Sequence, residues 1–66
     1  MLEWYVVGYS GGRYIIELWR DGKRLATFSG NPDYRRNVFW LSPISCDVPG
    51  SWGHYRAIDF SKVKRR

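Results

Sequence analysis

The pair Asp21-Gly22 restricts the fold of this 66-residue chain more than any other feature of its sequence. It separates two runs that are rich in β-branched and aromatic residues, Arg13–Arg20 (RYIIELWR) and residues 23–29 (KRLATFS). A type I′ turn requires positive φ angles at both central residues, and an Asp-Gly pair between two such runs is a strong signal for it. The sequence therefore predicts a β-hairpin with a two-residue loop.

The two-residue loop also predicts which side chains share a face, because directly opposite residues of a hairpin lie on the same side. Trp19 would face Arg24 and form an exposed cation–π pair with it. The core face would hold Tyr14, Ile16, Leu18, Leu25 and Thr27. The opposite face would be mixed in character and would hold Ile15, Glu17, Trp19, Arg24, Ala26 and Phe28. A bulged three-residue loop would instead shift the register by one residue and exchange the two faces.

Three further runs have the aromatic and β-branched composition of strands: residues 3–9 (EWYVVGY), 38–42 (VFWLS) and 54–60 (HYRAIDF). Turn-forming residues separate the runs. They predict a turn at 30–33, a short helical turn at 34–37 and a loop at 44–53. The chain is therefore predicted to be all-β, a small antiparallel meander of about five short strands that is barrel-like or strongly twisted.

This reading gives one small β domain over residues 1–61, followed by a basic C-terminal tail at 62–66 that we expect to be frayed. The alternative architecture is a twisted three-stranded sheet of residues 3–29, with residues 30–66 packed across one of its faces. Both architectures must be stabilised by a small core, since a chain of this length buries only about 60% of its unfolded surface.

The core has to be built without a covalent or metal cross-link. Cys46 is the single cysteine of the sequence and His54 its single histidine, so neither an internal disulfide nor a four-ligand zinc site is expected. We expect no metal and no cofactor. The large rings are therefore predicted to fill the core, chiefly Trp4, Phe28, Phe39, Trp40 and Phe60.

Positive charge is concentrated in two parts of the chain. The formal net charge is +5, and residues 23–36 and 52–66 carry the surplus. Many of the twelve aromatic residues are next to a cation, and arginine supplies eight of the eleven cations. Arginine can hold phosphate bidentately or stack on a ring, so this pattern suits contact with a polyanion. The candidate binding residues are Arg13, Trp19, Arg24, Tyr34, Arg35, Arg36, Tyr55, Arg56, Lys62 and Lys64.

Catalysis is not expected. Cys46 and His54 could be imagined as a nucleophile and a base, but no local motif supports that pairing. The six carboxylates are scattered along the chain, and the glycine-rich residues 8–12 lack the Lys-Ser/Thr of a phosphate-binding loop. No run approaches the roughly 20 apolar residues of a membrane span, so no membrane partner is expected. The lack of paired cysteines suits the cytoplasm.

Three functions remain open. The first is a small basic module that contacts DNA or RNA through arginine, lysine and exposed rings. The second is a protein-binding module or inhibitor, of the kind encoded by phages and mobile elements, that covers an acidic surface of a larger enzyme or complex. The third is weak self-association of an otherwise monomeric chain, through an unpaired strand edge at residues 3–9 or 38–42.

Overall fold

The computed structural model describes residues 1–50 and 52–66, and its main feature is one six-stranded sheet. The strands are β1 (Leu2–Ser10), β2 (Arg13–Arg20), β3 (Lys23–Asp33), β4 (Val38–Cys46), β5 (Ala57–Asp59) and β6 (Val63–Arg65). Short 3₁₀ turns span Trp52–His54 and Phe60–Lys62. The spatial order is β5-β4-β3-β2-β1-β6, in which β1 to β5 form an antiparallel meander and β6 runs parallel to β1. The predicted all-β fold is confirmed, with six strands rather than five.

The sheet is curled into a half-barrel, and its connectivity explains why. Strands β5 and β6 are the two opposite edges of the sheet, yet only Phe60–Lys62 separate them in the chain. Five inter-strand spacings in a flat sheet would put these edges about 24 Å apart. Four fully extended steps of the chain reach only about 14 Å. The sheet must therefore bend until its edges approach each other.

The predicted hairpin turn is present. Asp21 has φ 50° and Gly22 has φ 79°, the positive values that a type I′ turn requires. The turn between β1 and β2 has the same character, with φ 59° at Gly11 and 80° at Gly12. Both turns match the right-handed twist of the strands that they join.

The predicted register is correct only next to the turn. Trp19 pairs with Arg24 as expected, but a bulge then shifts the strands, so that Leu18 faces Ala26 and Ile16 faces Phe28. One extra residue in a strand moves every later side chain to the other face. The expected placement of Thr27 on the core face was therefore wrong, since it lies beside Glu17 on the outer side. Ala26 and Phe28, which were placed on the mixed face, are fully buried.

The core lies on the concave side of the sheet, and nine buried apolar residues of the described chain form it. They are Trp4, Ile16, Leu18, Leu25, Ala26, Phe28, Phe39, Leu41 and Ile58. Three of the five predicted core rings are among them, and Phe60 packs against them half-buried. The prediction for Trp40 was wrong: it is 46% exposed, because it alternates with the inward-facing Phe39 and Leu41.

Several strand boundaries also differ from the prediction. The expected turn at 30–33 is the end of β3, where it pairs with β4, and β4 continues through Pro43 to Cys46. The expected loop at 44–53 therefore begins later, and its Ser51 lies outside the described residues. The last predicted strand is shortened to β5. The tail was expected to be frayed, but its Val63–Arg65 form β6, because they pair with β1.

The two segments considered for self-association already have neighbours. Strand β1 lies between β2 and β6, and residues 38–40 of β4 lie between β3 and β5. Within residues 1–50 and 52–66, no helix is long and apolar enough to cross a membrane.

Candidate functional site

Strand direction brings separate cationic segments to one end of the half-barrel. The β1–β2 turn, the β3–β4 turn and the C-terminal end of β6 all lie at this end, because β1, β3 and β6 run in the same direction. It carries four exposed arginines, Arg13, Arg35, Arg36 and Arg65, and we call it the arginine-rich end. Two acidic residues, Asp33 and Asp59, share it, so its net charge is positive.

A groove lies at the same end of the half-barrel, where β5 and β6 are not joined, and Arg65 and Arg66 line it. Its volume is about 560 Å³, and five aromatic rings line it in a continuous series: Tyr9, Tyr14, Phe39, Phe60 and Tyr34. Successive ring centroids in that order are 4.8, 5.3, 4.5 and 5.8 Å apart. Such tilted and edge-to-face contacts stabilise ring clusters. We call this feature the aromatic groove.

The groove is apolar at its floor and open at its rim. Phe39 is buried, whereas Tyr9 is 64% and Tyr34 is 74% exposed. The phenol of Tyr14 lies near that of Tyr34, and once ionised it would repel a second phenolate. This repulsion, with a smaller contribution from desolvation, raises the pKa of Tyr34. The rim therefore presents neutral hydroxyl groups, which can donate and accept hydrogen bonds.

Asp33 fixes the turn that carries Tyr34. Its Oδ1 accepts hydrogen bonds from the backbone N–H groups of Arg35 (3.1 Å) and Arg36 (3.2 Å). Its Oδ2 accepts from Arg36 Nη1 (2.9 Å) and from the indole of Trp40 (3.0 Å). The Trp40 indole, followed by the side chain and the backbone N–H of Arg36, lowers the pKa of Asp33 to about 2. The carboxylate thus holds the turn between β3 and β4 in one conformation and explains the exposed position of Trp40.

The candidate cations differ in how far they are already neutralised. Arg24 is paired with both Glu17 (3.1 Å) and Asp47 (2.9 Å), and Glu17 contributes most to its raised pKa. Arg36 is paired with Asp33, and Lys64 lies 3.6 Å from Glu3. Within the described part of the chain, the other candidates form no ion pair: Arg13, Arg35, Arg56 and Lys62. Of these four candidates, Arg13 and Arg35 lie at the arginine-rich end.

Trp19 does not form the predicted pair with Arg24. The guanidinium of Arg66 covers the Trp19 ring at 4.5 Å and also lies 5.2 Å from the ring of Tyr5. The Trp19 indole donates to Glu17, the same carboxylate that holds Arg24. The expected cation–π partner was wrong because Arg24 forms ion pairs with Glu17 and Asp47. Arg66, which follows β6, takes its place over the Trp19 ring.

Three of the remaining candidates, Tyr55, Arg56 and Lys62, lie away from the aromatic groove. Tyr55 was expected to be exposed, but it is half-buried and meets Trp4 edge-on at 5.1 Å. Arg56 precedes β5, and its carbonyl accepts a hydrogen bond from the Leu41 N–H (2.8 Å), so it lies beside the middle of β4. Lys62 ends the turn between β5 and β6, beside the N-terminal residues of β1. The structure thus brings Arg13, Tyr34, Arg35 and Arg36 to one end of the half-barrel. Lys64 lines the groove as well but is paired with Glu3, and the other five candidates lie elsewhere.

Sequence reasoning missed three residues that line the groove: Tyr9, Tyr14 and Arg65. Tyr9 and Tyr14 flank the Gly11-Gly12 turn symmetrically and are cross-strand partners, so the turn itself was a usable signal for this ring pair. Arg65 had no such signal, because its position depends on the parallel pairing of β6 with β1.

No protein-family model, curated protein or solved structure matches this chain. The site is therefore interpreted from its own geometry. In the described residues, no group of three or more His, Cys, Asp or Glu side chains could hold a metal ion. Cys46 is exposed at the end of β4, and His54 stacks on Tyr55 at 4.5 Å.

Proposed function

We propose that this protein is a small non-catalytic module that binds nucleic acid through its arginine-rich end. One observation carries the proposal: an open groove of tyrosine and phenylalanine rings, lined also by Arg65 and Arg66, lies at the end of the half-barrel to which three separate segments bring arginines. Cationic grooves with aromatic walls suit nucleic acid, since the cations neutralise phosphates and the rings stack on bases.

The arginines would act mainly on the phosphate backbone. Arg13, Arg35 and Arg65 form no ion pair among the described residues, so binding a phosphate would not require breaking one. Arg36 is already shared with Asp33 and would contribute less. Contacts of this kind position a module on a strand without reading its sequence. Three neutralised phosphates correspond to a slope of log K against log salt of roughly −2 to −3.

The test is a titration of fluorescent oligonucleotides with the protein, followed by anisotropy at two salt concentrations. Arg13→Ala with Arg35→Ala should weaken binding strongly and make the salt slope shallower by roughly 2. The matched control is Arg20→Ala with Lys23→Ala, which removes the same charge beside the β2–β3 turn, at the opposite end of the sheet. Circular dichroism checks the fold of each variant. Absence of binding at low salt, or equal loss in both double variants, would overturn the proposal.

A second candidate function, binding to another protein, is favoured by a different surface. Trp40 and Ile44 are 46% and 56% exposed on β4, outside the aromatic groove. Tryptophan is enriched among residues that dominate protein interfaces. This function predicts that the wild-type protein captures a protein partner from a nuclease-treated lysate. Ile44→Ser, which leaves the hydrogen bond between Trp40 and Asp33 in place, should weaken that capture and leave oligonucleotide affinity unchanged. Equal capture of the partner by the wild-type protein and by Ile44→Ser, each used as bait, would overturn this second function.

A further inference from the structure

We infer that the aromatic groove accepts an unpaired base, so that the module prefers single-stranded to double-stranded nucleic acid. The inference rests on the proposed nucleic-acid function and adds to it the physical form of the ligand. The arginine-rich end alone would attract both forms of nucleic acid, because phosphate charge is common to them. The groove is the feature that can distinguish them.

The size and walls of the groove suit a base. Its volume of about 560 Å³ lies within the range of pockets that hold small organic ligands. The floor is the buried Phe39, and the walls include Tyr14 and Phe60, so a planar apolar group would be surrounded by rings. A base within a duplex is already stacked and paired, and it can enter such a pocket only when it leaves the helix.

Tyr34 is placed to stack on that base or its neighbour. Its ring is 74% exposed and meets the groove through Phe60, at 5.8 Å and 73°. The turn beneath it is held by Asp33, so the ring projects from a fixed backbone. Stacking on an aromatic side chain tolerates every base. The hydroxyl groups at the rim can both donate and accept, which also imposes no single base identity.

Charge at the mouth of the groove complements a strand rather than a free aromatic molecule. Arg65 follows Val63 by two residues on β6, so it lies on the side of the sheet that Val63 packs against the core. It lines the groove, is exposed, and forms no ion pair among residues 1–50 and 52–66. A base in the groove would therefore have a cation available for its adjoining phosphate.

The experiment compares three labelled probes of equal phosphate number: a single-stranded oligothymidine, a duplex, and an abasic strand that keeps the backbone. Wild-type protein should bind the single strand about tenfold more tightly than the abasic strand, the ratio expected for loss of base stacking. Tyr34→Ala should lose about tenfold for the single strand and leave duplex and abasic affinity unchanged. Tyr34→Phe should retain the wild-type affinity for all three probes.

The outcomes separate this inference from the proposal beneath it. Equal affinity for the single strand and the abasic strand would overturn the base-binding groove, while salt-dependent binding of both would leave the proposed function standing. Equal loss for all probes in Tyr34→Ala would also overturn it. Absence of binding to any probe at low salt would overturn the proposed function itself. Tyr9→Ala, at the opposite rim, provides a second variant in which the single-strand loss should recur.

Discussion

Gly30 lies so close to Ile16 that a β-carbon added at position 30 would be 2.6 Å from Ile16 Cδ1. Ile16 is fully buried, so it has no free space into which to move. Gly30→Ala should therefore overpack the core and lower the free energy of unfolding by about 1–3 kcal/mol. Urea denaturation followed by tryptophan fluorescence measures this loss.

Two further variants test the cause of that loss. Gly8→Ala is the matched control, because its β-carbon would lie 3.8 Å from Ile15, an ordinary contact distance. It should change stability much less. Ile16→Val removes the Cδ1 atom that meets the new methyl group, so it should recover part of the stability lost in Gly30→Ala. A strictly additive double variant would show that the close contact is not the cause.

Arg66 is expected to hold β6 against the outer face of the sheet. Its guanidinium lies 4.5 Å from the Trp19 ring and 5.2 Å from the Tyr5 ring. Arg66→Ala should cost about 0.5–1 kcal/mol, the value of an exposed cation–π contact, and should speed amide exchange at Val63 and Lys64. Arg35→Ala removes an exposed arginine that stacks on no ring of the described chain and should change neither quantity. Unchanged exchange in Arg66→Ala would refute this role.

Local sequence signals predicted most of the fold. Asp21-Gly22 specified its turn, and the alternation of apolar residues identified β2 and part of β4, because turn geometry and side-chain period are properties of neighbouring residues. The bulge at Leu25, between the pairs Trp19–Arg24 and Leu18–Ala26, could not be predicted, since it depends on how the whole sheet packs on its core. The same holds for β6: residues 63–65 read as a basic tail, and only pairing with β1 makes them a strand.

The candidate site was only partly accessible from the sequence. The ring and cation pattern predicted Tyr34 and Arg35, which lie in one turn and need no tertiary information. It also predicted Tyr55, but the ring of Tyr55 packs against Trp4 in the curled sheet and is half-buried. Arg65 reaches the groove through a contact between the two ends of the chain. Charge adjacency along the sequence cannot distinguish a solvated arginine from one that already has a carboxylate partner, as Arg24 has.

Phe28 should be the most sensitive ring of the core. It is fully buried and lies 5.6 Å from the ring of Trp4. Phe28→Ala should cost about 3–5 kcal/mol, by loss of buried area and by creation of a cavity. A domain of this size has a total stability on the order of 3–10 kcal/mol, so the variant should be partly or wholly unfolded at 25 °C. Tyr34→Ala, at an exposed ring, should stay within about 0.5 kcal/mol of the wild type. Similar losses in both variants would contradict this assignment.

Asp33 should make the protein sensitive to acid in a defined range. Its folded-state pKa of about 2 lies below the ordinary value near 4, so the folded state binds the proton less readily than the unfolded chain. The stabilisation is therefore fully present above about pH 4 and is lost as the pH falls towards 2. Trp40→Phe removes the hydrogen-bond donor that contributes most to the lowered pKa of Asp33. The pKa of Asp33 should therefore rise, and the pH interval over which its stabilisation is lost should become narrower. NMR measurement of the Asp33 carboxyl ¹³C shift against pH gives its pKa in the wild type and in Trp40→Phe.

Trp52→Phe is the control for this prediction, since the Trp52 indole donates to the Val48 carbonyl instead. An Asp33 pKa that stays the same in Trp40→Phe would show that the indole hydrogen bond does not set it.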